Sequence, residues 1–598
     1  MNNQPPGSSG FVPSRLGRWR CAGLFVVALA ALACHWRWRQ LQPFGLHLVP
    51  ALTLGMILFL ALDATVGFVR LAATSPRQFL HRLKRRDPWI SGAWRLACLV
   101  TILALFYTVE RWRGHRAWGQ VTREAERRGE PIDVPKASVR PIAEDQNFAA
   151  LPIFKPLVAD LSRRTDFVDD ALPVNLGKLE AIRQWGQPWY LVGNRRKNSR
   201  FAPWWDGRVT DFIALANDST LFGPVDETGS KSTPHPKVAS EAEALAQLAT
   251  GLAQFEDDLR QLQEGSDRPQ CVFPLDYERQ MWRGAPHFEV LYGYLRIARL
   301  RASVRLAQGR NAEALADIEL LLRLADYGRR QPWAVLGTHG LWIVLDGLQP
   351  IWEGLHARRW SDDDLKTIQA QLGGLDLLKD YPTSVRNDAQ AMADLFEAFL
   401  PARSRVREVP TAHRRESELE GFMRALRAIY PTGWSLQDQA SFHLFFQAVT
   451  SLAVDVQNRR ALPPSPEAHL VLARATPNPL SPIFIHPKVR QMFEDARLMY
   501  PAAQSAIDLA RVACALERHR LRDGQYPNRL TDLVPRFLET LPHDLHDGQS
   551  LRLLKKDDGV TLYAIGDNGA DDLGQTGGRR SDQLPNLTAG DWVWSLTP

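Results

Sequence analysis

The chain has 598 residues, 45% of them hydrophobic, with 73 Lys and Arg against 66 Asp and Glu and only five cysteines. That balance excludes a disordered, collagen-like or disulfide-framework protein and allows several domains, each able to bury a core. The net charge of +7 resolves into +13 on residues 1–128 and −6 on residues 129–598, so the basic excess marks the N-terminal fifth and gives no support to nucleic-acid binding.

Three apolar stretches fill residues 1–110, which read as a membrane domain with three transmembrane helices. They are Cys21 to Trp36, flanked by Trp19 and Trp38; Phe44 to Val69, interrupted by Asp63; and Ile90 to Val109, interrupted by Arg95. Each is close to the ~20 residues that a spanning helix needs. Lys and Arg concentrate before the first stretch (Arg15, Arg18, Arg20) and between the second and third (Arg70, Arg77, Arg82, Lys84, Arg85, Arg86). The positive-inside rule then places the N-terminus in the cytoplasm and the chain after Val109 outside, although Arg111, Arg113, Arg116 and Arg123 run against it. Asp63 and Arg95 fall at similar depth and can pair, or Arg95 can snorkel to the headgroups. A cleaved lipoprotein-type signal at Ala31–Cys34 is the competing account of the first stretch.

Residues 111–160 read as a charged juxtamembrane helix followed by an extended linker. Residues 161–460 read as an irregular segment rich in tryptophan (Trp185, Trp189, Trp204, Trp205) and then an α-helical bundle or irregular repeat. Ser240 and Glu243 have capping-box spacing, and Leu248, Leu252, Phe255 and Leu259 follow at helical intervals. Helices are expected at about 286–308, 311–329, 333–357, 361–379, 383–400, 416–430 and 435–459, with a tight hairpin at Gly309 and a second capping box at Ser361 and Asp364. The Leu291–Leu324 hairpin resembles a tetratricopeptide unit without a fixed 34-residue period. Residues 461–487 contain seven prolines and read as a linker. Cys271 and Cys514 neither demand nor exclude a disulfide.

In residues 488–598 a helix at about 499–522 ends in Gly524-Gln525-Tyr526-Pro527. Leu541-Pro542-His543-Asp544 follows, then strands at 550–554 and 560–565, and a loop from Gly566 to Gly574 that precedes Gly590-Asp591-Trp592-Val593-Trp594. This order resembles the C-terminal part of the major pseudopilin of type II secretion systems, on Tyr526-Pro527, Leu541–Asp544 and Gly566–Gly569. The resemblance implies a small α+β module with a calcium-binding loop, whose ligand positions correspond to Asn568 and Asp591 with Asp571 or Asp572 as a third carboxylate; the same residue types also make tight turns. Two features depart from the family: no prepilin-peptidase site begins the chain, and Asn568 stands where the family has a carboxylate. Tyr107 to Pro135, Asp145-Gln146-Asn147-Phe148, Phe273 to Glu278 and the 290–380 helices resemble uncharacterised membrane-anchored bacterial proteins of the same layout.

Motifs for chemistry are lacking. There is no His-Glu-x-x-His, Gly-x-Ser-x-Gly or Cys-x-x-Cys, and Gly229-Ser230-Lys231-Ser232 has the wrong spacing for a phosphate loop. The expectation is therefore a mainly α protein of the bacterial cytoplasmic membrane, multi-pass, with a large extracytoplasmic part that acts as a scaffold or interaction protein toward an envelope partner, in the setting of secretion or pilus-like assembly. The alternative is an extracytoplasmic enzyme with an unrecognised site in 161–460.

Overall fold

The computed structural model describes residues 87–127, 142–163, 204–218, 237–273, 286–330, 334–385, 431–446, 453–463, 487–556, 559–578 and 585–596, together with Leu179 and Ile182. In chain order the helices are α1 (Asp87–Arg127), α2 (Lys155–Arg163), α3 (Phe212–Ala216), α4 (Glu241–Ala253), α5 (Glu256–Glu264), α6 (Pro286–Ala307), α7 (Asn311–Arg329), α8 (Ala334–His356), α9 (Asp362–Gly373), α10 (Thr432–Phe446) and α11 (Pro487–Asp523). The strands are β1 (Val454–Asp455), β2 (Arg460–Ala461), β3 (Arg552–Lys556), β4 (Gly559–Ala564) and β5 (Trp592–Leu596). The fold is mainly helical with a small C-terminal sheet.

Local chemistry sets the helix ends where the sequence signals them. Both capping boxes form: Ser240 Oγ accepts from Glu243 N at 3.3 Å, and Ser361 Oγ accepts from Asp364 N at 3.2 Å. Gly309 and Gly524 take positive φ (76° and 75°) and end α6 and α11, a conformation in which an L side chain would be strained. Elsewhere tertiary packing overrides the signals. α11 begins at Pro487 and runs through Pro501, whose missing N–H costs roughly 3 kcal/mol in a helix interior. That cost is offset by the buried row of Met499, Tyr500, Ala503, Ile507, Ala510 and Cys514 against α8 and α9. α10 is described as far as Phe446, and the chain at 454–461 is a two-strand hairpin where a helix to 459 is expected.

No helix among the described residues is long and apolar enough to cross a membrane. The first two expected spans lie outside the described residues. The third coincides with the first half of α1, in which Cys98–Val109 supplies twelve uncharged residues before Glu110 and Arg111 end the run. The helices expected at 416–430 and over most of 383–400 also lie outside the described residues, as do Trp185 and Trp189. Cys98, Cys271 and Cys514 form no disulfide among the described residues.

The chain forms two compact units. One comprises residues 1–120, 430–441 and 473–485; the other comprises 121–429, 442–472 and 486–598, so the helical body and the C-terminal sheet belong together. In this larger unit α6 packs on α7 and α8, and α11 packs on α8 and α9. The sheet has the antiparallel order β3-β4-β5, with Arg552 opposite Tyr563 and Leu562 opposite Trp594. A tryptophan seam joins it to the helices. The Trp204 ring lies 4.7 Å from that of Trp594, Trp204 Nε1 donates to Leu345 O at 3.0 Å, and Trp352 Nε1 donates to Ser595 O at 2.9 Å.

Charge is buried in the helical body as closed networks. Asp317 on α7 accepts from Arg301 Nε (3.0 Å) and Nη2 (2.5 Å) and from Arg305 Nη1 (2.8 Å), while Glu256 on α5 accepts from Arg301 Nη1 at 2.8 Å. Burial raises the Asp317 carboxyl despite both guanidinium groups. Removing one member strands the others in a dry interior. Asp317→Ala is therefore expected to cost about 3–5 kcal/mol of unfolding free energy, measured by denaturant unfolding followed through helical circular dichroism, whereas Glu313→Ala on the exposed rim should change it little.

Candidate functional site

Of two segments singled out in the sequence, Asp145–Phe148 lies in the larger unit against residues 270–273, and of Phe273 to Glu278 only Phe273 falls among the described residues. Asn147 mimics a strand neighbour: its side chain accepts from Val272 N (2.9 Å) and Ala149 N (3.1 Å) and donates to Val272 O (2.8 Å). Phe148 N donates to Gln270 O at 2.7 Å, and Arg268 Nη1 reaches the carbonyls of Glu144 and Asn147 at 3.0 Å. The junction closes over a ring cluster in which Phe148 lies 4.6 Å from Tyr327, and Phe154 lies 5.7 Å from Phe273 and 6.3 Å from Tyr294.

Two reactive side chains sit in this cluster, both in unreactive states. Burial pushes the Cys271 thiol well above its ordinary value, against one backbone N–H from Ala149, so little thiolate forms. His287, at the start of α6, lies 5.2 Å from the Phe273 ring. Burial alone lowers its pKa to about 3, and neither ring nitrogen has a hydrogen-bond partner among the described residues. A neutral imidazole and a protonated thiol are each poorly suited to nucleophilic catalysis. Sequence reasoning passed over His287, since no motif surrounds it.

A third group is the half-buried Glu353 on α8. Its carboxylate accepts from Thr210 N (2.8 Å), Thr210 Oγ1 (2.6 Å), Ser303 Oγ (2.5 Å) and Gln349 Nε2 (3.0 Å). Four neutral donors satisfy it in place and hold the segment carrying Trp204 against α8.

The C-terminal loop brings three of the four expected calcium ligands together. Asn568 Nδ2 donates to Asp572 Oδ2 at 2.8 Å, and Asp591 accepts Asp572 N at 3.3 Å and Gly574 N at 2.8 Å, one on each oxygen. Asp571 instead accepts Leu573 N at 3.0 Å and lies 3.6 Å from Arg552 Nε. Burial raises the Asp591 carboxyl, opposed by the two backbone N–H groups. Calcium needs six to eight oxygen donors converging on one point. Here the oxygens face backbone N–H groups, an amide N–H and a guanidinium, and no group of three or more His, Cys, Asp or Glu among the described residues is arranged to hold a metal ion. Among the described residues these groups form a hydrogen-bonded turn.

The neighbouring His543–Asp547 run is likewise structural. Asp544 is fully buried, accepts His546 N at 2.9 Å and Ile565 N at 2.7 Å, and pairs with Arg552, which also binds Asp547. His543 Nε2 contacts Arg459 O at 3.0 Å, which ties the 454–461 hairpin to the same place.

No known protein family, curated protein or solved structure matches the chain. The site is therefore read from its own chemistry.

Two outcomes follow from these groups. A histidine whose folded pKa is depressed contributes stability above its unfolded value near 6.5 that is lost as pH falls toward about 3. Thermal midpoints of the protein should thus drop between pH 6.5 and 4, and His287→Phe should flatten that slope. In the loop, melts of the full chain in calcium and in chelator should coincide, and Asp591→Ala should lose about 1–3 kcal/mol in both by stranding the N–H groups of Asp572 and Gly574.

Proposed function

We propose that the protein is a membrane-anchored, extracytoplasmic scaffold of the bacterial envelope that displays its C-terminal α+β module to a protein partner. The observation that carries this reading is the tryptophan seam. Trp204, Trp352 and Trp594 fasten the sheet to the helical body, so the module is held on a firm platform instead of swinging on a linker. Anchorage rests on the three apolar stretches and the +13 charge around them. Kinship of the module with the type II secretion pseudopilins is supported by the order of its parts: the long helix α11, the turn at Gly524–Pro527, the Asp544 segment, the antiparallel sheet and the Gly/Asp loop between β4 and β5. The module presents Leu554 and Leu573, the latter 68% exposed, beside that loop.

An enzymatic role for 161–460 draws less support, because the buried thiol, the buried imidazole and the half-buried Glu353 carboxylate all serve packing. In vivo crosslinking of the intact protein in its own membranes, followed by co-purification, should recover a discrete envelope protein joined to residues 488–598. Recovery of none would sink the scaffold reading.

A further inference from the structure

α1 presents two kinds of face along one continuous helix. A stripe at Leu99, Leu103, Phe106, Glu110 and Gly114, spaced by three or four residues, is turned inward. Against its lower end lies the start of α10. A Cβ on Gly433 would run into the Glu110 carbonyl, and one on Gly114 into the Gly433 carbonyl, so the two backbones meet at a glycine pair. Glu110, only 6% exposed, is held there: Oε1 accepts from Arg113 Nη1 at 2.7 Å, and Oε2 accepts from Gln437 Nε2 at 2.9 Å and Trp434 Nε1 at 3.1 Å. Phe106 packs edge-on to Trp434 at 5.9 Å.

The outward face changes chemistry within one turn. Above Glu110 it is Val100, Thr101, Ala104, Leu105, Tyr107, Thr108 and Val109, all exposed and none charged, with Val100 and Leu105 each 56% exposed. Below it come Arg111, His115 and Arg116, also exposed. At the switch stands Trp112, 57% exposed, with the Arg116 guanidinium 5.4 Å above its ring. A surface helix of a water-soluble protein carries polar residues outward along its whole length.

We propose that the outward face of α1 from Val100 to Val109 is a lipid-contacting surface, that the hydrocarbon boundary crosses α1 at Val109–Trp112, and that the first turns of α10 are braced against the anchor helix at that level. The inference deepens the membrane-anchored reading and rests on it. Four features favour lipid as the occupant. The exposed uncharged positions cover about 200° of the helix at about 100° per residue, whereas a partner helix needs only a narrow seam. The twelve residues from Cys98 to Val109 rise about 18 Å, within the ~30 Å hydrocarbon core. An exposed tryptophan beside arginine marks the headgroup level. Glu110, the carboxylate of α1 at that depth, points inward onto an indole N–H and an amide, where its charge is satisfied without facing hydrocarbon.

The test places benzoylphenylalanine singly at Val100, Leu105 or Arg116 of the full-length protein in its own membranes, with mass spectrometry of the photo-adducts and carbonate extraction of the same membranes. Lipid adducts at Val100 and Leu105, with their loss at Arg116, are expected from a carbonate-resistant protein. Crosslinked dimers at Leu105 in place of lipid adducts would assign the face to a second copy and overturn the inference. Absence of adducts at both upper positions in a carbonate-resistant protein would overturn it too, while leaving anchorage by residues 1–70 intact. Release of the protein by carbonate would overturn the anchored reading itself.

Discussion

The larger unit depends on how the edge of a three-stranded sheet is closed. β5 lies at one side of the β3-β4-β5 order, and an uncovered edge carries backbone groups that must find partners or invite another chain. Trp352 on α8 supplies the donor to the Ser595 carbonyl, while Trp204 covers Trp594 on the neighbouring position. The two indoles do different work. Trp352 satisfies the backbone, and Trp204 fills the wedge between α8 and the strand with one ring whose own N–H is spent on Leu345 O. The Glu353 carboxylate then fixes the loop behind Trp204 through Thr210, so one helix, α8, governs both contacts.

The same economy appears in the buried charges. α6 carries Arg296, Arg299, Arg301 and Arg305, all nearly inaccessible to water. A helix with this many buried guanidinium groups is tolerable only where carboxylates meet them with good geometry, since desolvation of each ion costs several kcal/mol. Asp317 answers Arg301 and Arg305, and Asp346 answers Arg299 at 2.8 Å and accepts the Tyr292 hydroxyl at 2.7 Å. Such pairs add little net stability over apolar packing, but they penalise any shift of α6 against α7 and α8. They act as a register device for a bundle whose apolar positions alone would permit sliding.

Local signals were legible in the sequence and long-range ones were not. Ser240 with Glu243, Ser361 with Asp364, and the glycines at 309 and 524 announce helix ends because each acts within four residues of itself. The 454–461 hairpin escaped notice, since Val449, Leu452 and Val456 continue a helical spacing. Its own turn signal is Asp455, which accepts from Asn458 N at 3.0 Å and Nδ2 at 2.7 Å and closes the chain before Arg459 at φ 50°. The helix expected at about 499–522 extends back to Pro487 through Pro501, because propensity cannot register the apolar row that its middle buries. The candidate calcium residues were legible as a cluster: Asn568, Asp572 and Asp591 do come together. Their hydrogen-bond partners were not, because what each carboxylate faces depends on the path of Gly574 and on Arg552, which lies on another strand.

The composition split at residue 128 locates the basic charge around the apolar stretches, and α1 gives that split a physical scale. Of the +13, the residues Arg111, Arg113, Arg116 and Arg123 run against the positive-inside rule. Two of the four have assignments independent of topology: Arg113 neutralises Glu110 at the glycine crossing, and Arg116 lies over Trp112. A charge bound to a fixed carboxylate or an aromatic face contributes less to orientation than a mobile one, because its field is partly cancelled and its place is set by packing. The basic run after Val109 therefore weakens the case for an outside C-terminal part less than its count suggests. Glu110 is the residue that makes the difference: it converts an arginine beside the apolar run from a topology signal into a structural partner.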